Sequence, residues 1–386
     1  MKEPHVRKPR PRPRSLHFVP VPRGLGPVLL AEMNALGLPE IAAEEGGAFF
    51  TGTLEDCYRA NLWLRSGARV LRVLRRFPCR DDRALYREVR EVDWFSHMSA
   101  DQTLAVRVRL GRTPFTHSQF LSRRIKDAVV DQFRETFGRR PSVDREQPHL
   151  QIQAWFEGTE CTLCLDTSGA PLFKRGYRSG TADAPLKENL AAALIGLTGW
   201  RGERPFFDLM TGAGTLAIEA AMIAANRAPG LTRSRFGFQN WPDYQKSTWN
   251  RLCAEARKAI RPIEVEIQAA DRDPRMIAMA RQNAEAAGVG GAIEFVERDF
   301  RQTPPRSGVG VLMVNPPYGE RSGREENLPE LYKALGDVMK QRFTGWDAHV
   351  FTAQGELIKS IGLRPARRHI LFNGALECRL LHYRIY

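Results

Sequence analysis

From Phe206 onward the sequence alternates short apolar strands with amphipathic helices, and this alternation constrains the fold more than any other feature. The pattern runs through FFDLM, the helix from Thr215, IQAAD, MIAMARQNAEAAG, IEFVERD, VLMVNPP, LPELYKALGDVMKQRF and AHVFTA. Such alternation predicts a doubly wound α/β domain with a mostly parallel sheet. The chain closes with HILF, Asn373-Gly374 and ALECRLLHYRIY. Because Asn-Gly between two alternating runs predicts a hairpin, we expect an antiparallel last strand.

A glycine-rich turn joins the first of these strands to its helix. In FFDLMTGAGTLAIEAA, Gly212 and Gly214 permit a tight turn and let the backbone approach a ligand at the helix N-terminus. The same residues also satisfy the dinucleotide-binding pattern, so the turn alone is weak evidence. The acid of the next strand, Asp271, comes much later than the ~20 residues expected of a dehydrogenase. With the antiparallel last strand, this spacing favours a class I methyltransferase that binds S-adenosylmethionine (SAM).

Acidic residues end three successive predicted strands. Asp208 lies just before the glycine-rich turn, where its carboxylate could hold the cofactor's ammonium group through ordered water. Asp271 is placed to accept from both ribose hydroxyls, and Asp299 from the adenine amino group. Asp273 directly precedes Pro274, so we expect it to cap the following helix.

The segment after the fourth strand, Asn315-Pro316-Pro317-Tyr318, is the most specific signal in the sequence. An exocyclic amine on a base is a poor nucleophile because its lone pair is delocalised into the ring. The Asn315 side-chain oxygen and the Pro316 carbonyl could accept its two N–H bonds and localise that lone pair. Catalysis then depends on positioning and preorganised electrostatics, without a strong base. Tyr318 would offer a flat face to a base turned out of its stack.

The motif itself does not distinguish among target amines. N6 of adenine, N4 of cytosine, N2 of guanine and a glutamine side-chain amide all present an NH₂ group. The alternative interpretation of the segment is a rigid Pro-Pro turn beside a core tyrosine. The other common chemistries lack a signal, since the sequence holds no HExxH, GxSxG or GxxxxGK[ST] motif.

The first half of the chain differs in pattern and in charge. Its pattern predicts small α+β units. The predicted strands are LHFVPV, AFFTGT, RVLRVLRRF and LAVRVRL, followed by a helix over residues 116–137 and a hairpin at HLQIQAWF–CTLCLD. One stripe of that helix should be buried, with the members Leu121, Ile125, Ala128, Val129, Phe133 and Phe137. The formal net charge of +14 favours a nucleic-acid partner over a membrane. This half therefore looks like a substrate-holding module.

Three further segments carry weaker signals. Residues 1–14 alternate proline with arginine and should form a disordered basic arm, either an inert leader or a tether to phosphates. Residues 222–262 interleave arginines with aromatic residues; we favour an aromatic cover on the sheet over a base-stacking lip. Cys161 and Cys164 form one CxxC in a predicted strand, where they should point to opposite faces as packed thiols, and we expect no metal site.

Taken together, these segments resemble the THUMP-domain RNA guanine-N2 methyltransferases, most closely the bacterial enzymes of large-subunit ribosomal RNA. The resemblance covers about Leu16 to Tyr386 and rests on segments that include SRRIKDAVVDQF, RRPSVDRE, RGYR, APLKENLAAALI, TGAGTLAIEAAM, RAPGL and NPPYGER. It implies a basic arm (1–15), a ferredoxin-like subdomain (16–75), a THUMP domain (76–168), a linker (169–190) and a Rossmann-like class I methyltransferase domain (191–386). Its sheet should have seven strands, the last antiparallel.

The resemblance also implies SAM as cofactor, contacts to it from the acids and glycines named above, and amine contacts from Asn315 to Tyr318. Seven basic residues are the candidate RNA contacts: Arg123, Arg124, Lys126, Arg139, Arg140, Arg175 and Arg178. Thr211 stands where many relatives carry cysteine. The spread of six cysteines and the lack of a secretion signal or apolar span indicate a cytoplasmic protein.

The target remains open at this point. We expect N2 of a guanine in 23S ribosomal RNA. A second methyltransferase domain, fused to some relatives, is absent from this sequence, which leaves transfer RNA as an alternative substrate. An adenine-N6 methyltransferase would share the NPPY motif, and a non-catalytic RNA-binding protein would require that cofactor binding fail.

Overall fold

The structure is a computed structural model, and it describes residues 13–178, 186–306, 308–318, 327–353 and 355–386. The predicted basic arm therefore lies almost entirely outside the described residues, as does part of the predicted linker. Within the described ranges, every helix is too short or too polar to cross a membrane.

The first half of the described chain builds one mixed sheet of eight strands in the order β2-β3-β1-β4-β8-β7-β5-β6. Its strands are β1 (Ser15–Pro20), β2 (Ala42–Glu44), β3 (Gly47–Gly52), β4 (Leu71–Pro78), β5 (Thr103–Leu110), β6 (Ser142–Val143), β7 (Leu150–Glu157) and β8 (Glu160–Asp166). Its helices are α1 (Gly26–Ala35), α2 (Leu54–Trp63), α3 (Asp82–Arg90) and α4 (Ser118–Phe137). The short strands β2 and β6 and the helix α3 were not predicted from the sequence.

Strand β4 joins two units that the sequence analysis separated. It pairs with β1 on one side, where Phe18 is opposite Leu71, and with β8 along its length on the other. The predicted boundary at residues 75 and 76 therefore falls inside a strand. The ferredoxin-like and THUMP segments share one continuous sheet, so neither can move without disturbing the pairing of β4.

Helix α4 confirms the predicted helix but corrects one end of its stripe. Leu121, Ile125, Ala128, Val129 and Phe133 are buried, as their helical spacing predicts. Phe137, the last residue of the stripe, is 52% exposed and meets Phe95 edge-on at 5.1 Å between ring centroids. Phe137 is exposed because it is the last residue of the helix, with Gly138 as the C-cap.

The CxxC pair behaves as the strand pattern predicts. Cys161 and Cys164 are both free and buried on β8. Cys161 belongs to the main hydrophobic core, whereas Cys164 belongs to a separate cluster on the opposite face of the sheet. The two thiols therefore point away from each other and serve as core side chains.

The second half forms a seven-stranded sheet in the order β11-β10-β9-β12-β13-β15-β14. Its strands are β9 (Phe206–Asp208), β10 (Ile267–Asp271), β11 (Glu294–Glu297), β12 (Val311–Val314), β13 (Asp347–Thr352), β14 (Arg367–Asn373) and β15 (Leu376–Arg384). Its helices are α5 (Glu188–Thr198), α6 (Thr215–Ala224), α7 (Lys246–Lys258), α8 (Pro274–Ala287), α9 (Leu328–Arg342) and α10 (Leu357–Ser360).

This sheet confirms the predicted doubly wound architecture. Strands β9 to β13 are parallel, and β15 is antiparallel to both β13 and β14. The hairpin between β14 and β15 turns at Asn373-Gly374, where Gly374 adopts a φ of 67°. Because the parallel strands end at one edge of the sheet, the loops that follow β9, β10, β11 and β12 meet there.

The aromatic residues of the insertion at 222–262 are mostly buried, as a cover requires, but the surface they cover belongs to α2 and β4 of the N-terminal half. Phe238 stacks on Tyr58 of α2 at 4.4 Å, and the backbone N–H of Gln245 donates to the Tyr58 hydroxyl at 3.0 Å. The Arg72 guanidinium of β4 pairs with Asp243 at 2.7 Å. Through these contacts the insertion packs the catalytic half against the N-terminal half.

Candidate active site

The loop between β9 and α6 is built on two glycines with left-handed backbone. Gly214 has a φ of 84°, and a Cβ there would lie 2.9 Å from the Cβ of Ala280 on α8. Gly212 has a φ of 52° and faces open space. Its backbone N–H donates to the Asp271 carboxylate at 2.8 Å. Both glycines have a left-handed backbone that other residues rarely adopt, and Gly214 also leaves no room for a Cβ. The loop is therefore packed against α8 at Gly214 and hydrogen-bonded to β10 at Gly212.

The three strand-end acids lie at one edge of the sheet, where the sequence placed them. Asp271 ends β10, and its second carboxylate oxygen accepts from the Asp273 N–H at 3.0 Å. Asp273 itself caps α8 by accepting from the Arg275 N–H, which confirms its predicted role. Asp299 caps a short 3-10 turn and pairs with Arg301 at 2.9 Å.

A pocket of about 210 Å³ opens between these loops. Asp271 and Asp299 both line it, together with Pro317 of the catalytic segment. The other lining residues are Leu209, Met210, Arg272, Arg298, Phe300 and Leu331. The pocket therefore combines two carboxylates with an apolar wall, which suits a ribose and a flat base.

Asp208 does not line this pocket, although its neighbour Leu209 does, and its environment is different. Its side chain is almost fully buried, and within the described ranges its Oδ2 has no hydrogen-bond partner. Burial raises the pKa of Asp208 to about 7, and the nearby Asp271 carboxylate adds to the shift. A buried carboxyl oxygen without a donor is costly unless a ligand supplies one. Asp208 thus fits a cationic ligand group such as an ammonium.

Asn315 directly follows β12 at the same edge of the sheet. Its Oδ1 is buried and has no hydrogen-bond partner in the described part of the chain, although the side chain is not fully enclosed. Pro316 is buried, and Pro317 and Tyr318 are half-buried. The motif thus has an amide oxygen without a described donor two residues before Pro317, which lines the pocket, as an amine-binding group should. Gly319 and Glu320, which extend the motif, lie outside the described residues.

Three residues that sequence reasoning did not assign to the site contact this segment. The Asn373 side-chain amide donates to the Tyr318 hydroxyl at 3.4 Å, and Phe351 meets the Tyr318 ring edge-on. The Tyr332 hydroxyl of α9 donates to the Pro317 carbonyl at 3.5 Å. Burial raises the pKa of Tyr318 to about 12, so the phenol stays neutral. The Asn-Gly turn was visible in the sequence, but its proximity to Tyr318 was not.

The predicted basic residues around α4 lie on the surface, mostly beside acids. Arg123 and Arg140 are exposed. Arg124 pairs with Asp82 at 3.3 Å, Lys126 with Asp127 at 2.5 Å and Arg139 with Asp101 at 2.8 Å. Such exposed pairs are weak and open readily to a phosphate, so these positions remain predicted RNA contacts.

Arg175 corrects the sequence analysis. Its side chain is 1% exposed, and its guanidinium donates to the carbonyls of Leu172 and Arg65 at 2.9 and 2.6 Å. It also pairs with the buried Glu219 at 3.5 Å. All of these partners are internal, so Arg175 is a structural residue that RNA does not reach. The basic composition of its segment gave the wrong prediction because composition does not report burial.

Arg178 is half-buried rather than on the surface. It pairs with Glu188 at 3.2 Å and donates to the Thr215 hydroxyl at 3.1 Å. Thr215 is the first residue of α6, so Arg178 packs beside the glycine-rich loop. Its assignment to RNA remains a prediction.

Comparisons with known proteins agree with this geometry. Residues 175–382 match the family model of the RMKL-like methyltransferase domain (UPF0020), which is more than half of the chain. The chain belongs to this family. Residues 79–166 match the THUMP domain, and residues 17–71 match the RlmL ferredoxin-like domain. An RMKL-like domain thus follows two further matched modules.

Two curated relatives align over almost the whole chain. The ribosomal RNA large subunit methyltransferase K/L of Syntrophotalea carbinolica is 44% identical over 95% of this chain, but over only 53% of its own length. The putative RNA methyltransferase slr0064 of Synechocystis is 39% identical and is covered over 97% of its length. The chain thus spans about half of the K/L relatives and nearly all of slr0064.

Two solved structures share the complete fold. SMU.472, a putative methyltransferase complexed with S-adenosylhomocysteine, is 29% identical with a TM-score of 0.87, and the match covers 97% of this chain and 98% of that one. A predicted N6-adenine-specific DNA methylase from Listeria monocytogenes is 30% identical with the same TM-score, and covers 97% of each chain. The RMKL-like half therefore has the Rossmann-like fold of SAM methyltransferases, behind ferredoxin-like and THUMP modules.

Proposed function

We propose that this chain transfers a methyl group from SAM to the exocyclic N2 of a guanine in large-subunit ribosomal RNA. One observation carries the proposal: the buried Asn315 Oδ1 has no hydrogen-bond partner among the described residues and lies at the carboxyl edge of the sheet. A buried oxygen without a hydrogen-bond donor costs free energy, and an N–H group of the substrate can supply that donor.

The chain's own residues account for binding of the cofactor. Asp208 offers a buried oxygen to an ammonium group, Asp271 faces the pocket for ribose hydroxyls, and Asp299 lines it for the adenine amine. When bound, SAM supplies an electrophilic methyl group next to a positively charged sulfur. The left-handed turn at Gly212 keeps the loop free of side chains where the ligand would approach.

The NPPY segment then accounts for the chemistry at the amine. Asn315 Oδ1 and the Pro316 carbonyl accept the two N–H bonds, so that the lone pair stays on nitrogen and points away from both acceptors. Tyr332 and Asn373 hold the segment at Pro317 and Tyr318, which limits the reorganisation needed during transfer. The amine's surplus proton leaves after transfer, when the nitrogen has become acidic, so a strong base is not required.

Support for RNA as substrate comes from outside the catalytic pocket. The net charge of +14 fits a polyanion, and the chain carries a THUMP domain. The aligned relatives are named as RNA methyltransferases, and the K/L relatives as enzymes of large-subunit ribosomal RNA. Ribosomal RNA in the cytoplasm is therefore the proposed substrate, with transfer RNA as the alternative.

The deciding experiment measures radiolabelled methyl transfer from SAM to undermodified ribosomal RNA, transfer RNA and DNA in parallel. Labelled RNA is then digested to nucleosides for mass spectrometry. N2-methylguanosine from ribosomal RNA is expected, with naked RNA preferred over finished subunits because unstacking a base costs a few kcal/mol. N6-methyladenosine or N4-methylcytidine would overturn the target. Label confined to transfer RNA would keep the chemistry and change the substrate.

A further inference from the structure

The two faces of the eight-stranded sheet are covered differently. Helices α1, α2 and α4 contribute side chains to the main core on one face. The opposite face carries a small separate cluster in which every residue belongs to a strand: Phe18, Phe49, Leu71, Cys164, Leu16, Val73 and Trp155. Among the described residues, this cluster has no helical member. We call this side of the sheet the open face.

Two arginines stand on the open face beside a tryptophan. In the pairing of β5 with β7, Arg107 is opposite Gln153 and Arg109 is opposite Trp155, so all four side chains share one face. Both arginines are exposed, and neither has an ion pair or hydrogen bond to another described side chain. Trp155 packs on Phe18 at 4.9 Å between ring centroids and is partly exposed as a residue.

The other charges on this face are one ion pair and one carboxylate, Glu157, that no described side chain neutralises. Arg76 pairs with Glu160 at 2.7 Å and lies over the Phe49 ring. The Glu157 carboxylate accepts from the backbone N–H of Arg112 at 3.3 Å. Together with Arg107 and Arg109, this makes three arginines against two glutamates, so these residues leave the open face with a net positive charge next to an aromatic ring.

Strand β1 begins at the end of the sheet where Arg109 and Trp155 lie, because it is antiparallel to β4 with His17 opposite Arg72. Residues 1–14, which precede β1 in the sequence, contain six basic residues and one acidic residue.

We propose that the open face binds a single-stranded segment of the substrate RNA. Arg107 and Arg109, two residues apart and so roughly 6.6 Å apart along the strand, contact the phosphates, and a base stacks on Trp155. An aromatic ring flanked by unpaired arginines suits exposed bases, whereas a paired duplex keeps its bases stacked inside. This inference rests on the proposed function for the identity of the partner, and it adds a binding surface on a different sheet from the cofactor pocket.

The test compares two double variants of the full chain that remove equal charge. Arg107→Gln/Arg109→Gln changes the open face, and Arg83→Gln/Arg87→Gln changes two exposed arginines of α3 on the helical side. Binding of a fluorescein-labelled mixed-sequence single-stranded RNA is followed by anisotropy over a range of KCl. The open-face variant should bind at least ~10-fold more weakly, with a log–log salt slope lower by roughly 1.4, since each lost contact to a single strand removes ~0.7. The α3 variant should stay within about twofold of wild type.

Stacking and strand preference are tested separately. Trp155→Leu keeps apolar packing but should weaken binding at least roughly fivefold. An unlabelled RNA duplex should compete less well than the unlabelled single strand. Equal affinities and salt slopes for the two double variants, or a duplex that competes equally, would overturn the proposal.

These results are separable from the proposed function. RNA that is bound through Arg107 and Arg109 but never methylated would overturn the methyltransferase proposal alone. RNA that is methylated by wild type, and bound unchanged by the open-face variant, would overturn this proposal alone.

Discussion

Binding of the cofactor should be coupled to loss of a proton from Asp208. The carboxyl is buried, its Oδ2 has no described partner, and its pKa is raised to about 7. A carboxylate that receives an ammonium group has to be ionised. The ligand therefore binds only the deprotonated fraction of the protein, and its apparent affinity should rise with pH until Asp208 is fully ionised.

The size of this effect follows from the pKa. At pH 6 only about a tenth of the Asp208 carboxyls are ionised, so the apparent Kd should be ~10-fold higher than at pH 8.5, a difference of ~1.4 kcal/mol. At pH 7 about half a proton should be released for each ligand bound, because about half of the carboxyls are still protonated.

Isothermal titration with S-adenosylhomocysteine at pH 6, 7 and 8.5 measures the affinity directly. Two buffers with different ionisation enthalpies report the released proton. Asp208→Asn should bind weakly and without this pH dependence. Asp299→Asn is the matched control, since Asp299 is partly exposed and paired with Arg301, and this variant should keep the wild-type pH dependence. A flat wild-type profile, or an equal slope in Asp208→Asn, would refute the reasoning.

The same pKa has a consequence for stability in the absence of ligand. Because folding raises the pKa of Asp208, the folded state holds this proton more tightly than the unfolded state does. The stability that this bound proton contributes is fully present below pH ~4 and is lost as the pH rises through about 7. Over that range the free energy of unfolding should fall by up to ~4 kcal/mol. Thermal melts should therefore show that Asp208→Asn stabilises the free protein at pH 8 but not at pH 4.

Three other changes test the site from different directions. Asn315→Ala should lower the methyl-transfer rate by at least ~10²-fold while calorimetry shows unchanged cofactor affinity, and near-normal turnover would refute its role. Arg175→Ala should lower the free energy of unfolding by ~3–5 kcal/mol in denaturant titrations, because it leaves the buried Glu219 without its ion-pair partner. The salt dependence of RNA binding should stay the same in this variant. Gly214→Ala should lower the melting temperature more than Gly212→Ala, since only the first introduces a contact to Ala280 at 2.9 Å.

The parts of the site that the sequence predicted are those fixed by local order along the chain. A parallel sheet puts the residues after each strand at one edge, so Asp271, Asp299 and Pro317 reach one pocket wherever the intervening helices run. Gly212 and Gly214 are likewise determined by the turn between one strand and its own helix. These assignments needed only the strand positions and the direction of each strand.

The parts that the sequence did not predict depend on contacts between distant segments. Arg175 lies in a basic, turn-rich stretch, yet its partners include Arg65 and Glu219, which are far away in the chain. The division at residues 75 and 76 followed the change of pattern, whereas β4 pairs with strands from both units. Periodicity describes which face of an element is apolar and says nothing about which other element covers it.

The contact of the N-terminal sheet with the catalytic hairpin shows what such long-range packing achieves. Gly24, in the loop after β1, has a φ of 86°, and a Cβ there would lie 2.4 Å from the Ile370 carbonyl oxygen on β14. The neighbouring Arg23 guanidinium lies over the Phe372 ring at 4.6 Å. The next residue, Asn373, donates to the Tyr318 hydroxyl. The N-terminal half, which is proposed to bind RNA, therefore contacts the β14–β15 hairpin. That hairpin orients the Tyr318 ring, which is proposed to stack on the target base. A displacement of the N-terminal sheet should therefore change the position of Tyr318.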